Sequence, residues 1–112
     1  MNLKYIFKII DKDEWEKAKK GGIYLGSTID LKDGFIHFSE ENQIRDTLKK
    51  YYPKQKNLIL LKVDTLKLKN LIWEQNSSGN FYPHLYSSLD VNFIKNEYLL
   101  MLDKNGIHKL PK

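Results

Sequence analysis

Apolar and polar positions repeat with two different periods along the chain, and the change of period predicts where helices and strands lie. The run from Lys4 to Ile10 is rich in Tyr, Ile and Phe, which favours a first strand. Asp11, with Glu14 three residues later, predicts the start of a short helix. This helix is expected to continue to about Lys20 and to end at Gly21.

The rest of the chain contains one more helical pattern and several extended ones. In chain order, the predicted elements are an extended piece at 23–25, a loop from Gly26 to Gly34, a helix over 40–52 closed by Pro53, strands at 58–63, 72–74 and 98–102, a turn at 103–106 and an antiparallel return at 107–110. Residues 65–71 fit either a strand or an ordered connection. Helices near the front and strands after them predict an α+β fold with a mixed or mostly antiparallel sheet.

Length and composition are those of one folded domain over residues 1–112. Hydrophobic residues make up 41% and charged residues 29% of the 112 residues, which argues against disorder. No apolar run approaches the roughly 20 residues that a membrane-spanning helix needs. The apolar part of the N-terminus is too short for a signal peptide, so a cytoplasmic location is expected. Because the chain has no cysteine, thiolate metal sites and cysteine nucleophiles are excluded.

The formal net charge of +5 raises the question of a nucleic-acid partner. Almost all of the positive charge is lysine, and Arg45 is the only arginine. Base and phosphate recognition favours the forked guanidinium group of arginine. We therefore do not expect sequence-specific nucleic-acid binding, although a weak non-specific attraction remains compatible with the charge. The oligomeric state is left open.

The stretch Gly34–Ser39 combines a turn glycine, large apolar residues, an imidazole and a hydroxyl. Side chains alternate between the two faces of a strand, so Ile36 and Phe38 are expected to face the core and His37 the opposite side. Two later stretches carry similar chemistry, namely Trp73-Glu74 and Phe81-Tyr82-Pro83-His84-Leu85-Tyr86. We predict that the three stretches meet in one cleft.

Each candidate residue has a structural interpretation beside the functional one. His37 suits general acid/base work or donation to a ligand hydroxyl, but a lone strand histidine is more often a structural partner. Ser39 is expected to cap the second helix, and Gln43 to reach either a ligand or water. Glu74 suits a general base or a cation stabiliser, and equally a surface glutamate. The bond before Pro83 is compatible with cis or trans.

The sequence contains no motif typical of a metal site or a phosphate-binding loop. His37, Glu74 and His84 make a set of two histidines and one carboxylate, but their spacing lacks the local pairing of zinc motifs, so no metal site is predicted. The third histidine, His108, lies among lysines and is predicted to be solvated. No glycine-rich phosphate loop, nucleophile elbow or dinucleotide fingerprint occurs.

The order of these motifs resembles the family called domain of unknown function 952, over nearly the whole chain. The resemblance rests on Trp15, Ala18 and Gly22, then 33–39 with Gln43, 58–64, Trp73-Glu74 and 81–86. It implies a small bacterial-type domain whose fold is similar to that of ADP-ribosyltransferases and RNA 2'-phosphotransferases. Lys8 stands where family members often carry a first-strand histidine, Ser87 replaces a family glycine, and the 81–83 loop is one residue longer than the commoner form.

The resemblance implies a cleft that binds or processes NAD, ADP-ribose or a related nucleotide, with NAD as a substrate. In this hypothesis His37, Glu74 and His84 are catalytic: the histidines contact sugar or leaving-group oxygens, and Glu74 orients a ribose hydroxyl or stabilises an oxocarbenium ion. Ser39, Gln43, Tyr86 and Lys8 would bind the nucleotide. The rivals are a non-catalytic module that senses a small ligand and a basic RNA-associated domain.

Overall fold

The computed structural model describes residues 5–111 and contains three α-helices and eight strands within them. The strands are β1 Tyr5–Asp11, β2 Ile23–Tyr24, β3 Ile36–His37, β4 Leu58–Asp64, β5 Leu71–Gln75, β6 Phe81–Leu85, β7 Leu89–Asp90 and β8 Ile94–Leu100. The helices are α1 Lys12–Gly21, α2 Thr28–Asp33 and α3 Ile44–Tyr51, with 3-10 turns at Glu41–Gln43, Thr65–Lys67 and Val91–Phe93. Lys4, with which the first strand was expected to begin, lies outside the described residues.

The larger sheet has strand order β1-β4-β8, and both of its strand pairs are antiparallel. Side chains alternate along β4, so one face of the sheet carries Ile59, Leu61 and Val63 and the other carries Leu58 and Leu60. The first face packs against α1 and the smaller sheets, and the second packs against α3. Burial on both faces explains why 58–63 is almost continuously apolar.

Helix α1 begins as the sequence predicts. The Asp11 carboxylate accepts hydrogen bonds from the backbone N–H groups of Asp13 and Glu14. The helix ends one residue later than expected, because Gly22 and not Gly21 adopts the left-handed conformation, with φ of 85°. Trp15 is fully buried, as expected for the inner face of this helix.

The prediction of a loop from Gly26 to Gly34 is wrong, because residues 28–33 form helix α2. Its first turn is closed by a capping box, in which Ser27 and Asp30 each bond the backbone N–H of the other. Gly34 ends the helix with φ of 88°. The helix is too short for apolar periodicity to reveal it, and Ser27-x-x-Asp30 was its only local signal.

The smaller three-stranded sheet has the order β3-β6-β5 and is also antiparallel. Ile36 pairs with Leu85, and both are buried in the main core. Trp73 pairs with Pro83 on this inner face, where it packs against the same core. No cis peptide bond occurs in residues 5–111, so the Tyr82–Pro83 bond is trans.

The C-terminal segment returns antiparallel after the turn at 103–106, as predicted. The return consists of one antiparallel bridge, between Leu102 and His108, and no regular strand forms over 107–110. The prediction that His108 is solvated is wrong: the residue is 4% exposed, and its Nε2 lies 2.7 Å from the carbonyl oxygen of Gln55. His108 therefore ties this segment to the loop after α3.

The architecture is α+β with antiparallel sheets, as expected, but with three α-helices in the first half of the chain where two were predicted. The helix predicted over 40–52 is shorter, because its first turn is the 3-10 turn Glu41–Gln43. Between residues 5 and 111, no helix has both the length and the apolar character needed to cross a membrane.

Candidate functional site

The outer face of the β3-β6-β5 sheet carries the chemistry. His37 pairs directly with His84, and residues that pair directly in antiparallel strands project to the same side. Ile72 pairs with His84, which places Glu74 two residues along on the same face. The expectation that Glu74 points away from Trp73 is confirmed. His37, Glu74 and His84 are thus brought together, although they are far apart in sequence.

Glu74 is the centre of the first of two histidine–carboxylate pairs. His84 Nδ1 lies 2.7 Å from Glu74 Oε1, and the Tyr86 hydroxyl donates to the same oxygen at 2.5 Å. No residue between 5 and 111 makes a hydrogen bond to Glu74 Oε2 or to His84 Nε2. The Glu74 side chain is 39% exposed and that of His84 14%. We call this group the Glu74 pair.

Hydrogen bonds set the ionisation of this pair. The hydrogen bond from Tyr86, followed by the one from His84, lowers the pKa of Glu74 below its ordinary value. The same contact with Glu74 raises the pKa of Tyr86. Glu74 is therefore a carboxylate at neutral pH, while Tyr86 keeps its proton.

The second pair joins His37 to a buried carboxylate. His37 Nδ1 lies 2.6 Å from Asp30 Oδ1, and the backbone N–H of His37 donates to the same oxygen at 3.2 Å. Asp30 Oδ2 accepts from Lys8 Nζ and from the Ser27 backbone N–H, each at 2.9 Å. On the far side of the ring, His37 Nε2 lies 3.1 Å from Asp33 Oδ2. We call this group the Asp30 pair.

Asp30 is the functional candidate that the sequence reasoning missed. It is 3% exposed, and its partner Lys8 is 5% exposed. Burial raises the pKa of Asp30, but the hydrogen bond from His37 and the charge of Lys8 outweigh burial and hold the pKa well below its usual range. The capping pattern at Ser27 predicts a helix start, and nothing local shows that the same carboxylate reaches both Lys8 and His37.

Phe35 covers the two histidines. Its ring stacks on His84 with centroids 4.1 Å apart, and it lies 4.5 Å from His37 and 5.1 Å from Tyr86. The two imidazole rings are 5.4 Å apart in an edge-to-face arrangement. The cluster is therefore an aromatic platform bordered by carboxylates. The two histidines do not face each other across an open cleft, because Phe35 packs against both of them.

Two predicted site residues have their polar groups elsewhere. The prediction that Ser39 caps the second helix is wrong, because its buried hydroxyl lies 3.1 Å from the Thr47 hydroxyl and Glu40 precedes the first turn. The Gln43 side chain accepts from the Glu40 N–H and donates to the Phe81 carbonyl at 2.7 Å. Gln43 thus holds the start of β6, and neither side chain contacts His37, Glu74 or His84.

A hollow of about 230 Å³ lies beside the platform. Its walls are Leu25, Asp30, Leu31, Gly34, Phe35, Ile36, Leu85, Tyr86, Ser87 and Ser88. Phe35 and Tyr86 belong both to the platform and to the hollow. Ligand pockets usually occupy about 300–1,000 Å³, so this space suits one ring system and not a whole dinucleotide.

Two other kinds of site are a metal site and an anion site built on the only arginine. Within residues 5–111, no group of three or more His, Asp or Glu side chains is arranged to hold a metal ion. Arg45, the only arginine, donates from its guanidinium to the His108 carbonyl at 2.6 Å. One nitrogen of its guanidinium is thus engaged within the fold, at His108 and not at the platform.

Known structures resemble this chain closely. The crystal structure of protein CC0527 from Caulobacter crescentus has a TM-score of 0.88 and 40% identity, covering 94% of this chain and 93% of that one. The solution NMR structure of CC0527 has a TM-score of 0.83 and 41% identity, covering 92% and 90%. No curated protein matches the chain.

The family comparison agrees with the resemblance seen in the sequence. The model of the family described as "Protein of unknown function (DUF952)" matches residues 9–96. This range includes α1, the Asp30 pair apart from Lys8, and the whole Glu74 pair. The chain therefore belongs to the DUF952 family.

Proposed function

We propose that this protein binds NAD, ADP-ribose or a related nucleotide on the outer face of the β3-β6-β5 sheet and acts at the glycosidic bond of the ribose. The observation that carries the proposal is the geometry of the Glu74 pair. Glu74 Oε1 is held by both His84 and Tyr86, which aims the carboxylate while Oε2 keeps its lone pairs for a ligand. The choice of a nucleotide as the ligand rests on the resemblance to ADP-ribosyltransferases inferred from the sequence motifs, and it is part of this proposal.

The chemistry expected of this pair is substitution at the anomeric carbon. With NAD, the bond from C1' to the nicotinamide nitrogen breaks, and nicotinamide leaves as a neutral molecule with the bonding electrons. The positive charge left on the ribose is stabilised by the Glu74 carboxylate. An acceptor hydroxyl then adds to C1', and His84 Nε2 takes the acceptor's proton.

The Asp30 pair would hold His37 in place for the ligand and would take no part in the reaction. Asp30 fixes the His37 ring by accepting hydrogen bonds at Nδ1 and at the backbone N–H, and the buried Lys8 neutralises the charge of Asp30. Lys8, predicted to bind the nucleotide, thus acts through Asp30 and His37. The hollow beside Phe35 and Tyr86 would take one planar ring of the nucleotide by stacking.

A specific observation favours one alternative, a non-catalytic module that uses the same face to bind a small ligand. Phe35 covers one face of His84 at 4.1 Å, with an angle of 23° between the rings. A ring so covered serves well as a rigid wall of a binding site. The same residues then recognise the ligand, and no bond is broken.

Calorimetry with NAD and with ADP-ribose tests binding, and chromatography of released nicotinamide tests turnover. Wild type should bind with a dissociation constant in the micromolar to millimolar range, and His37→Ala should weaken binding. Glu74→Gln, which removes the charge but keeps the shape, should lower turnover by about 10²-fold or more. Glu41→Gln is the matched control, because Glu41 is an exposed glutamate that contacts neither histidine pair.

The outcomes separate the hypotheses. Binding with turnover that is lost in Glu74→Gln supports the enzyme, and binding without turnover supports the binding module. The absence of binding by wild type at millimolar ligand removes NAD and ADP-ribose. Salt-sensitive RNA binding that is lost on charge reversal of Lys49 and Lys50 would instead support the RNA-associated domain.

A further inference from the structure

His37 lies between two aspartate carboxylates of α2 that differ in burial and in their other partners. Asp30 lies on Nδ1 at 2.6 Å and Asp33 on Nε2 at 3.1 Å. The first contact is a hydrogen bond, whereas the second meets only the distance of an ion pair. Within residues 5–111, His37 Nε2 therefore has a carboxylate at ion-pair distance but makes no hydrogen bond.

Asp30 cannot easily leave its position, whereas Asp33 can. The Asp30 side chain is 3% exposed and is bonded to Lys8, Ser27 and His37. The Asp33 side chain is 41% exposed, and His37 is the only side-chain partner found for it within residues 5–111. Exposed ion pairs of this kind contribute little, since double-mutant measurements typically correspond to less than about fivefold in an equilibrium constant.

The local structure also disfavours a carboxylate at this position. Asp33 is the last residue of α2, directly before the left-handed Gly34. The C-terminal end of a helix carries a partial negative charge, which favours a cation there. An aspartate at this position breaks a local rule, and such exceptions are expected where a residue serves a site.

The ion pair identifies what would replace Asp33. Two carboxylates, Asp30 and Asp33, flank the His37 ring, and the buried one is also paired with Lys8. When Asp33 turns into solvent, His37 Nε2 loses its ion-pair partner. An anionic oxygen of a ligand restores the ion pair at Nε2 and adds the hydrogen bond that Asp33 does not make.

We infer that the Asp33 carboxylate occupies, in the ligand-free protein, the place of an anionic ligand oxygen at His37 Nε2. The ligand class is a molecule that carries a carboxylate or phosphate oxygen, with the rest of the molecule in the hollow lined by Gly34 and Phe35. The inference rests on the proposed function, because it names the part of the nucleotide that His37 receives. Asp33 then sets specificity by competing with the ligand.

The test uses Asp33→Ala and small anions as probes. Ala is compatible with the end of a helix, and the chain has only three histidines, so the ¹⁵N signal of His37 Nε2 is readily assigned. In Asp33→Ala, acetate should give a saturable shift of this signal at millimolar concentration, because it replaces the missing carboxylate. Titration with inorganic phosphate in a separate sample distinguishes a carboxylate subsite from a phosphate subsite. In wild type the same shift should require about twofold to fivefold more anion, because Asp33 competes for His37 Nε2.

Calorimetry with ADP-ribose completes the test. Asp33→Ala should bind about twofold to fivefold more tightly than wild type, because the ligand no longer competes with a side chain. Asp46→Ala is the matched control, since it removes an exposed aspartate from α3 and should behave as wild type in both measurements.

The outcomes separate this inference from the proposed function. A shift with acetate or phosphate in Asp33→Ala, without ADP-ribose binding by any variant, supports the anion subsite and overturns the nucleotide ligand. Equal ADP-ribose binding by wild type and Asp33→Ala, with no response to either anion, overturns the subsite and leaves the proposed function standing.

Discussion

The two histidine–carboxylate pairs lie side by side on one sheet face and differ mainly in the burial of the carboxylate. Asp30 is almost completely buried and is bonded to Lys8, a helix cap and His37. Glu74 is partly exposed, and within residues 5–111 its carboxylate is bonded only to His84 and Tyr86. The two imidazoles are nevertheless only 5.4 Å apart.

The difference shows how similar residue types acquire different tasks. A buried carboxylate with a full set of partners fixes the groups around it, and its removal destabilises the fold because it leaves those partners buried without a counter-charge. A partly exposed carboxylate with a free oxygen can turn its charge toward a ligand. We therefore expect substitutions of Asp30 to change mainly the free energy of unfolding, and substitutions of Glu74 to change mainly ligand binding and turnover.

The largest expected effect is that of Asp30→Asn. This change leaves the Lys8 ammonium buried without a counter-charge, which should lower the free energy of unfolding by about 3–5 kcal/mol. Urea unfolding followed by circular dichroism measures it. Asp33→Asn, which alters the exposed partner of the same histidine, should cost less than about 1 kcal/mol. Equal costs for the two variants would remove the distinction between buried and exposed carboxylates.

Acid should weaken the Asp30 pair in a defined pH window. The pKa of Asp30 is lowered in the folded protein, so below the unfolded-state value of about 3.9 the unfolded chain binds more protons. The stability from Asp30 is thus complete above about pH 4 and is lost as the pH falls through the folded-state pKa. In urea unfolding between pH 7 and pH 2, the difference between wild type and Asp30→Asn should shrink below pH 4. A constant difference down to pH 2 would contradict this origin.

Ser39→Ala should have a smaller effect, confined to stability. The hydroxyl of Ser39 is buried and bonded to Thr47, so its removal should lower the free energy of unfolding by about 1 kcal/mol. Ligand affinity should not change, because Ser39 contacts neither histidine pair. Urea unfolding checks the first statement and calorimetry the second. A loss of affinity without a loss of stability would mean that Ser39 belongs to the binding site.

The smallest effect is expected from Tyr86→Phe. Removal of the hydroxyl takes away the hydrogen bond that contributes most to the lowered pKa of Glu74, so this pKa should rise toward its ordinary value. An NMR titration of the Glu74 carboxyl carbon measures the change. Tyr51→Phe, at an exposed tyrosine of α3, is the control and should leave the Glu74 titration as in wild type. An unchanged titration in Tyr86→Phe would mean that His84 alone sets the ionisation.

Much of the local structure follows from the sequence, because its signals act between near neighbours. Asp11 bonds to backbone groups two and three residues away, and the alternation of Ile36, His37 and Phe38 sends the histidine to the outer face. The failures are also local in origin. Helix α2 is shorter than two full periods of an apolar pattern, and His108 gives no sign of the Gln55 carbonyl that it meets.

The sequence by itself determined the α+β class, the family, and the fact that His37 and Glu74 turn away from the core. Only the tertiary structure decided that His37 stands opposite His84 and that Asp30 joins Lys8 to His37. Strand register between distant segments is set by the packing of Ile36 and Leu85 on the inner face. The partner of a buried charge likewise depends on the whole fold. A charge that is removed from water needs a counter-charge nearby, and the tertiary packing decides which residue lies close enough to supply it.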